Sequence, residues 1–337
     1  MVEVTCNGCL YDQWRFIKNF HSDSSNFIDY LQAHGVLPKG VTCPNCQEPC
    51  SYRSDRHQFY CGRYRKIAKK KVKKQCPFSV SLYKGTFLDN THLPPWEIGL
   101  FVNHWLDKSF KHDTVLKCLH WSPHTSVDWR SFCSEVTLSW LYNQKPIGGP
   151  GIIVEIDETF FCRRKYERGR KLNDVWLFGG IERVSKKKFI IPLHKEGQQD
   201  RSAKTLIPII KKYIQPGSVI MSDGWASYRT LSNEGYCHNV INHSENFVHP
   251  EDRSVHTQTV ERLWRDVKEW AKRPGMRTSY FDQYFGRYLF LDFFRDDSHH
   301  QFFLEAAKLY NPLGNRERPA GEDFPATDDE LEDSDNY

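Results

Sequence analysis

After residue 151 the hydrophobic period of the chain changes, and that change restricts the fold more than any other feature. "IIVEIDETFF" (152–161), "VWLFGGIERV" (175–184), "KFIIPLH" (188–194) and "SVIMSD" (218–223) are rich in β-branched and aromatic residues and read as strands. The first three arrive in quick succession, and "RSAKTLIPIIKKYI" (201–214) reads as a helix before the fourth. Three strands, a helix, a fourth strand and a further helix predict an α/β domain, a mixed sheet with helices on its faces. "KPIGGPG" (145–151) reads as the linker before it.

The other regions separate by pattern. Residues 1–40 hold a short helix at "NFIDYLQAHGVLP", ended by Gly35 and Pro38, and residues 41–90 are cysteine-rich and basic. Residues 91–145 read as helical, with Trp96, Ile98, Phe101, Val102, Trp105 and Leu106 on the first apolar face. The sheet core spans 151–296 and closes on an aromatic helix, "FDQYFGRYLFLDFFRD". Residues 297–320 follow as a C-terminal helix, and 321–337 as an acidic disordered tail.

A chain of 337 residues with 14% aromatics can bury a real core in two or three domains. No basic start with an apolar run opens it, and no apolar segment reaches membrane-spanning length, so the expectation is neither secreted nor membrane-bound. Eleven cysteines without an export signal point to a reducing compartment, where thiols are buried, catalytic or metal-bound. The formal charge of +5 hides an asymmetry: residues 321–337 carry eight acids and no base. The remainder has 47 bases against 34 acids, which suits a polyanionic partner, while the tail reads as solvated or autoinhibitory.

Within the sheet, Asp157 lies inside the first strand and Asp223 ends the fourth, just before Gly224. Ligands gather at such strand ends. In "HTQTVERLWRDVKEW" (256–270), Gln258, Glu261 and Lys268 share a helix face beside the apolar stripe Val260, Leu263, Trp264 and Val267. Converging carboxylates raise one another's pKa, and hard cations such as Mg²⁺ or Mn²⁺ relieve that. Two such ions roughly 3.5 to 4 Å apart suit phosphodiester chemistry, with Lys268 aimed at a phosphate. Singly, each residue has a plain reading: a turn or cap for Asp223, a solvated charge for Glu261 and Lys268. Glu155, Glu158 and Glu182 are read as ordinary acids, with Glu158 on the strand face opposite Asp157.

"VEIDETFF", "SDGWASY" and "HTQTVERLWRDVK", in this order and spacing, resemble the transposase domain of the IS1595/ISXO2 insertion sequences and their eukaryotic relatives, the Merlin DNA transposons. The similarity spans roughly residues 25 to 295 and is strongest from 150 to 270. The resemblance implies an RNase H-like fold and a two-metal DDE site of Asp157, Asp223 and Glu261, with Lys268 as the phosphate-contacting base. Gln258, where many bacterial relatives carry Asn, becomes a possible helper of Glu261.

"CPNC" (Cys43 to Cys46) is a thiolate pair of the kind that grips Zn²⁺, and Cys61 follows after fourteen residues. The next cysteine, Cys76, comes after "GRYRKIAKKKVKKQ", an insertion in the second knuckle of a zinc ribbon. The resemblance groups Cys61 and Cys76 with Cys43 and Cys46; Cys50, His57 and the "CNGC" pair Cys6 and Cys9 compete as ligands. The insertion carries Arg63, Arg65, Lys66, Lys69, Lys70, Lys71, Lys73 and Lys74, which read as phosphate contacts, a nuclear localisation signal or a solvated loop.

"DTVLKCLHWSPHTSVDWRSFCSEVT" reads as a helix-turn-helix, with Val127, Phe132 and Val136 facing inward and Arg130 offered to a DNA groove. Cys118, Cys133, Cys162 and Cys237 are read as buried thiols. Together these readings predict a DNA transposase: metal-dependent nicking at terminal inverted repeats of double-stranded DNA, then 3′-hydroxyl transfer, by a homo-oligomer on DNA. The setting is the nucleus of a eukaryote, otherwise the cytoplasm. The rivals are a domesticated DNA-binding regulator and a structure-selective nuclease.

Overall fold

The structure is a computed structural model that describes residues 16–18, 24–66, 73–108, 111–161, 175–193, 201–241, 256–271 and 278–310. Lys69, Lys70, Lys71, Cys6, Cys9, Cys162 and the acidic tail lie outside the described residues. The chain divides into two compact units, residues 1–30 with 92–305 and residues 31–91 with 306–337. The predicted first helix is α1 (Ser24–Ala33), with Phe27, Ile28 and Leu31 buried.

Among the described residues the smaller unit contains five three-residue strands: β1 (Ser51–Arg53), β2 (Gln58–Tyr60), β3 (Tyr64–Lys66), β4 (Lys73–Gln75) and β5 (Ser79–Ser81). An antiparallel sheet runs β1-β2-β5, while β3 and β4 pair separately as a ribbon between Cys61 and Cys76. These strands are too short and too exposed to bury much apolar surface. Cys43, Cys61 and Cys76 form a buried cluster of their own, beside buried apolar residues such as Phe59, Leu82 and Leu88.

The larger unit opens with α2 (Pro95–Leu106), α3 (His112–Leu119) and α4 (Pro123–Tyr142). Proline at the first helical position suits α2 and α4, and the Ser122 hydroxyl caps α4 by accepting from the Thr125 amide at 3.1 Å. On α4 the buried face carries Trp129, Cys133, Val136 and Trp140. Phe132, expected inside, is 43% exposed: it falls off the 129-133-136-140 stripe that helical geometry selects.

There follow β6 (Ile147–Gly148), β7 (Ile153–Phe161), β8 (Val175–Glu182), β9 (Lys188–Pro192), α5 (Ala203–Tyr213), β10 (Ile214–Gln215), β11 (Val219–Asp223) and β12 (Cys237–Ile241). The main sheet runs β12-β11-β7-β8-β9, with β12, β11 and β7 parallel and β8 and β9 antiparallel to their neighbours. All four predicted strands are present. The edge strand β12 escaped the sequence reading because "CHNVI" is short and half-polar. The supposed linker is also partly structured, since Ile147 pairs in parallel with Ile214.

Among the described residues three helices follow: α6 (Gln258–Trp270), α7 (Phe281–Phe294) and α8 (Ser298–Leu309). On one sheet face Val154, Ile156, Phe178, Phe189 and Ile220 pack against Leu206, Ile207 and Ile210 of α5. On the other lies α6, whose Val260, Leu263, Trp264, Val267 and Trp270 are buried at helical spacing. Each such side chain contributes about 1.5 to 3 kcal/mol on burial. Trp140 of α4 packs on Phe290, Phe293 and Phe294, so α7 is chiefly a packing helix. Cys133 is buried as expected; Cys118 and Cys237 are exposed, the latter because it opens an edge strand.

Candidate active site and metal centre

Parallel pairing of β7 with β11 sets Ile153 against Val219 and Glu155 against Met221. Carried two residues further, that register brings Asp223 level with Asp157. Asp157 feels its neighbours: burial first, then Glu158 and Asp223, push it up to about 7, against the opposing indole N–H of Trp264. Trp264 Nε1 donates to Asp157 Oδ2 at 3.1 Å. Gly179, opposite Asp157, is what admits that indole, since a Cβ there would lie 2.6 Å from Trp264.

Glu158 does lie on the other face, as expected, yet it is not an ordinary acid. Burial pushes it up to about 7 and Asp223 adds to this, while the Tyr228 hydroxyl and Arg201 guanidinium oppose. Tyr228 is near enough to act on that charge but not in hydrogen-bonding geometry; Glu158 Oε1 and the Tyr228 hydroxyl are buried without a partner among the described residues.

Glu155 is fully buried and fully used. Its Oε1 accepts from Arg183 Nε (2.8 Å) and Thr259 Oγ1 (2.8 Å), and its Oε2 from the amides of Thr259 (2.7 Å) and Val260 (3.0 Å). The carboxylate therefore fills the orphan amides that begin α6 and complements the helix dipole from a neighbouring strand. Arg183 also donates to the His256 carbonyl at 2.9 Å, tying down the approach to the helix. Sequence reading missed Glu155 and Glu158; the available signal was three acids, Glu155, Asp157 and Glu158, within one nine-residue strand.

Along α6, Gln258, Glu261 and Lys268 are all exposed. Thr257 Oγ1 donates to Glu261 Oε1 at 3.2 Å. Among the described residues, the one set of three or more candidate ligands with mutual distances within 4.8 Å is Cys43, Cys46, Cys61 and Cys76. Asp157, Asp223 and Glu261 thus do not close into a trio at that distance.

The four sulfurs match the predicted set. Cys43 and Cys76 Sγ are 3.7 Å apart, and Cys46 and Cys61 Sγ 3.6 Å. A tetrahedral Zn²⁺ with 2.3 Å bonds needs about 3.8 Å between sulfurs. The Phe78 amide, countered by burial and helped by Asn45 Nδ2 at 3.6 Å, holds the Cys76 thiol down at about 6, toward the thiolate a metal requires. The competing ligands fall away: Cys50 packs beside the cluster but outside it, and His57 Nδ1 is hydrogen-bonded to the Tyr52 hydroxyl.

Of the basic insertion, Arg63 is exposed and pairs with Glu48 at 3.1 Å, Lys73 and Lys74 are exposed, and Arg65 and Lys66 belong to β3. Arg130, on α4, is half-buried. A cavity of about 430 Å³, lined by Trp140, Lys145, Lys187 and Phe293 among others, touches none of the predicted site residues.

Residues 148–295 match the family model described as the ISXO2-like transposase domain. The chain is 22% identical over 221 residues to male abnormal protein mab-31 of Caenorhabditis elegans, a match covering 61% of this chain. It spans about half (50%) of the length of that curated relative. Among solved structures it is similar to a simian T-cell lymphotropic virus intasome in complex with PP2A regulatory subunit B56 gamma, at 13% identity and a TM-score of 0.29, covering 64% of this chain and 80% of that one. Among the described residues no helix is long and apolar enough to cross a membrane.

Proposed function

Residues 148–295 match the ISXO2-like transposase domain, and from that premise we propose that the chain is a DNA transposase. It nicks double-stranded DNA at terminal inverted repeats and joins the freed 3′ hydroxyl to target DNA, on an RNase H-like core. The observation that carries this reading is the parallel pairing of β7 with β11, which leaves Asp223 at the end of β11 near enough to Asp157 to raise its pKa, with α6 laid beside them.

In this reading Asp157, Asp223 and Glu261 hold two Mg²⁺ or Mn²⁺ ions. The donor chemistry fits: the oxygens are hard, and burial with the neighbouring Glu158 and Asp223 charges pushes Asp157 up to about 7, a cost that a cation relieves. When bound, the ions neutralise the carboxylates and make a hydroxyl oxygen a better nucleophile. Around them the chain's own groups position. Trp264 orients the Asp157 carboxylate, Glu155 holds the start of α6, Gln258 assists Glu261, and Lys268 balances a phosphate charge.

Cys43, Cys46, Cys61 and Cys76 hold a structural Zn²⁺. The basic ribbon and Arg130 contact DNA, with the protein a homo-oligomer there, in the nucleus of a eukaryotic host. The test is strand cleavage and transfer by the purified full chain on DNA carrying the inverted repeats that flank its gene, with Mg²⁺ or Mn²⁺, beside Glu261→Gln. Metal-dependent cutting at the repeat ends, lost in the variant, is the expected result. A second reading, a transposase-derived protein that binds DNA without cutting, draws on the separation of the three carboxylates. Tight repeat binding without cleavage in Mg²⁺ or Mn²⁺, unchanged by Asp157→Ala, selects it.

A further inference from the structure

Beside the carboxylate edge runs a ladder of rings and a cation that the chemistry above does not use. Phe160 of β7 meets Trp176 of β8 at 5.0 Å between centroids. The Arg201 guanidinium lies 3.7 Å from the Trp176 ring centroid and 4.5 Å from that of Trp225. Trp225 is held from three directions: its amide donates to Asp223 Oδ1 (3.1 Å), its indole Nε1 donates to the Arg201 carbonyl (3.2 Å), and Arg201 stacks on the ring. Ser227 Oγ donates to the same carbonyl at 2.7 Å, fixing Arg201 in turn.

So rigid a mounting would ordinarily serve a buried ring, yet Trp225 is 40% exposed and Phe160 38%. No ring of the described residues packs on the indole of Trp225. An exposed indole fixed two residues from an aspartate, with a stacked guanidinium behind it, has the chemistry of a platform for a flat, electron-rich, anion-bearing partner. A nucleobase attached to a phosphodiester is such a partner, and base stacking on an aromatic side chain is tolerant of sequence.

We propose that Trp225, backed by Arg201 and Trp176, is a stacking site for an unpaired base next to the phosphate addressed by Asp157 and Asp223. The inference rests on the transposase reading and adds to it a place where the duplex is opened: one base leaves its stack and lies on the indole, which fixes the strand against the carboxylates.

The experiment uses the full chain and inverted-repeat duplexes with an abasic site stepped, one nucleotide at a time, across the cleavage position. On intact DNA, Trp225→Ala is expected to slow cleavage roughly tenfold or more. At one abasic position the wild type should lose the same factor and the variant nothing further, so their ratio falls to about 1. Trp225→Phe keeps an aromatic face and should lie between. An equal loss at every position, or no loss on intact DNA, overturns the proposal. A metal-free arm separates this from failure of the transposase reading: 2-aminopurine at the same position should change fluorescence on binding wild type but not Trp225→Ala. If nothing is cut, the transposase reading fails; an unchanged fluorescence signal in tightly bound complexes overturns the stacking site itself.

Discussion

Glu155 shows how much a single buried carboxylate can organise. Two oxygens accept four donors, the full capacity of the group, and two of those donors are the amides that open α6. Glu155→Gln replaces one oxygen with an NH₂ that must face donors whichever way the amide turns, and it leaves Arg183 without its counter-charge. We expect a loss of roughly 3 to 5 kcal/mol in the unfolding free energy, measured by urea denaturation. A change below about 1 kcal/mol would show that water replaces the missing acceptor. Sequence alone could say that Glu155 and Asp157 share a strand face, because alternation dictates it. It could not say that a helix start 104 residues further along would land on Glu155. A second residue-scale expectation concerns His299, packed between Phe16 and Phe303 at 5.4 and 5.2 Å. Burial lowers it from 6.5 to about 3, so the unfolded chain takes up a proton below pH 6.5 that the folded chain refuses. Stability from this group is therefore complete above about pH 6.5 and drains away as pH falls toward 3. Thermal melts from pH 7 to 4 should fall more steeply for wild type than for His299→Phe.

At the level of elements, the cysteine unit depends on its metal. Its strands are three residues long, β1 and β5 are largely exposed, and three of its buried side chains are the thiols of Cys43, Cys61 and Cys76. Chelation of Zn²⁺ or Cys76→Ser should open residues 41–90 to limited proteolysis while the sheet unit stays protected, with bound zinc falling from one per chain to none by metal analysis. Spacing made the ligands legible, since "CPNC" and Cys61 fit a ribbon and the family resemblance supplied Cys76. That the insertion would begin and end as paired strands was not legible, because the register sets Arg65 against Lys74 and Lys66 against Lys73. Like charges directly opposite one another disfavour pairing, and a polyanion relieves that repulsion. Lys73→Gln with Lys74→Gln should accordingly reduce the slope of log affinity against log salt by about 2, one for each phosphate that is no longer neutralised. An unchanged slope would place the DNA elsewhere.

Across the whole molecule, the strand signals and the helix at 256–270 sufficed to anticipate a mixed sheet, because β-branched runs and a 3.6-residue period are local properties. The grouping of residues 92–305 into one unit was not anticipated, since it depends on meetings far apart in sequence: Trp140 with the α7 aromatics, and Ile147 with Ile214. Charge is the one global property that sequence states completely. With residues 321–337 the chain is +5; without them 47 bases face 34 acids. Eight carboxylates linked to a basic body compete with phosphates for the same cations, at a local concentration that does not fall on dilution. Truncation after residue 320 should then tighten DNA binding by roughly tenfold at 50 mM salt, with the advantage shrinking as salt screens both interactions. Titrations of repeat and unrelated duplexes at several salt concentrations distinguish the cases. A gain that shrinks with salt and is equal for both duplexes means electrostatic competition by the tail. A gain confined to the repeat sequence would mean that the tail acts on recognition, and no gain would leave the acids as solvated charge.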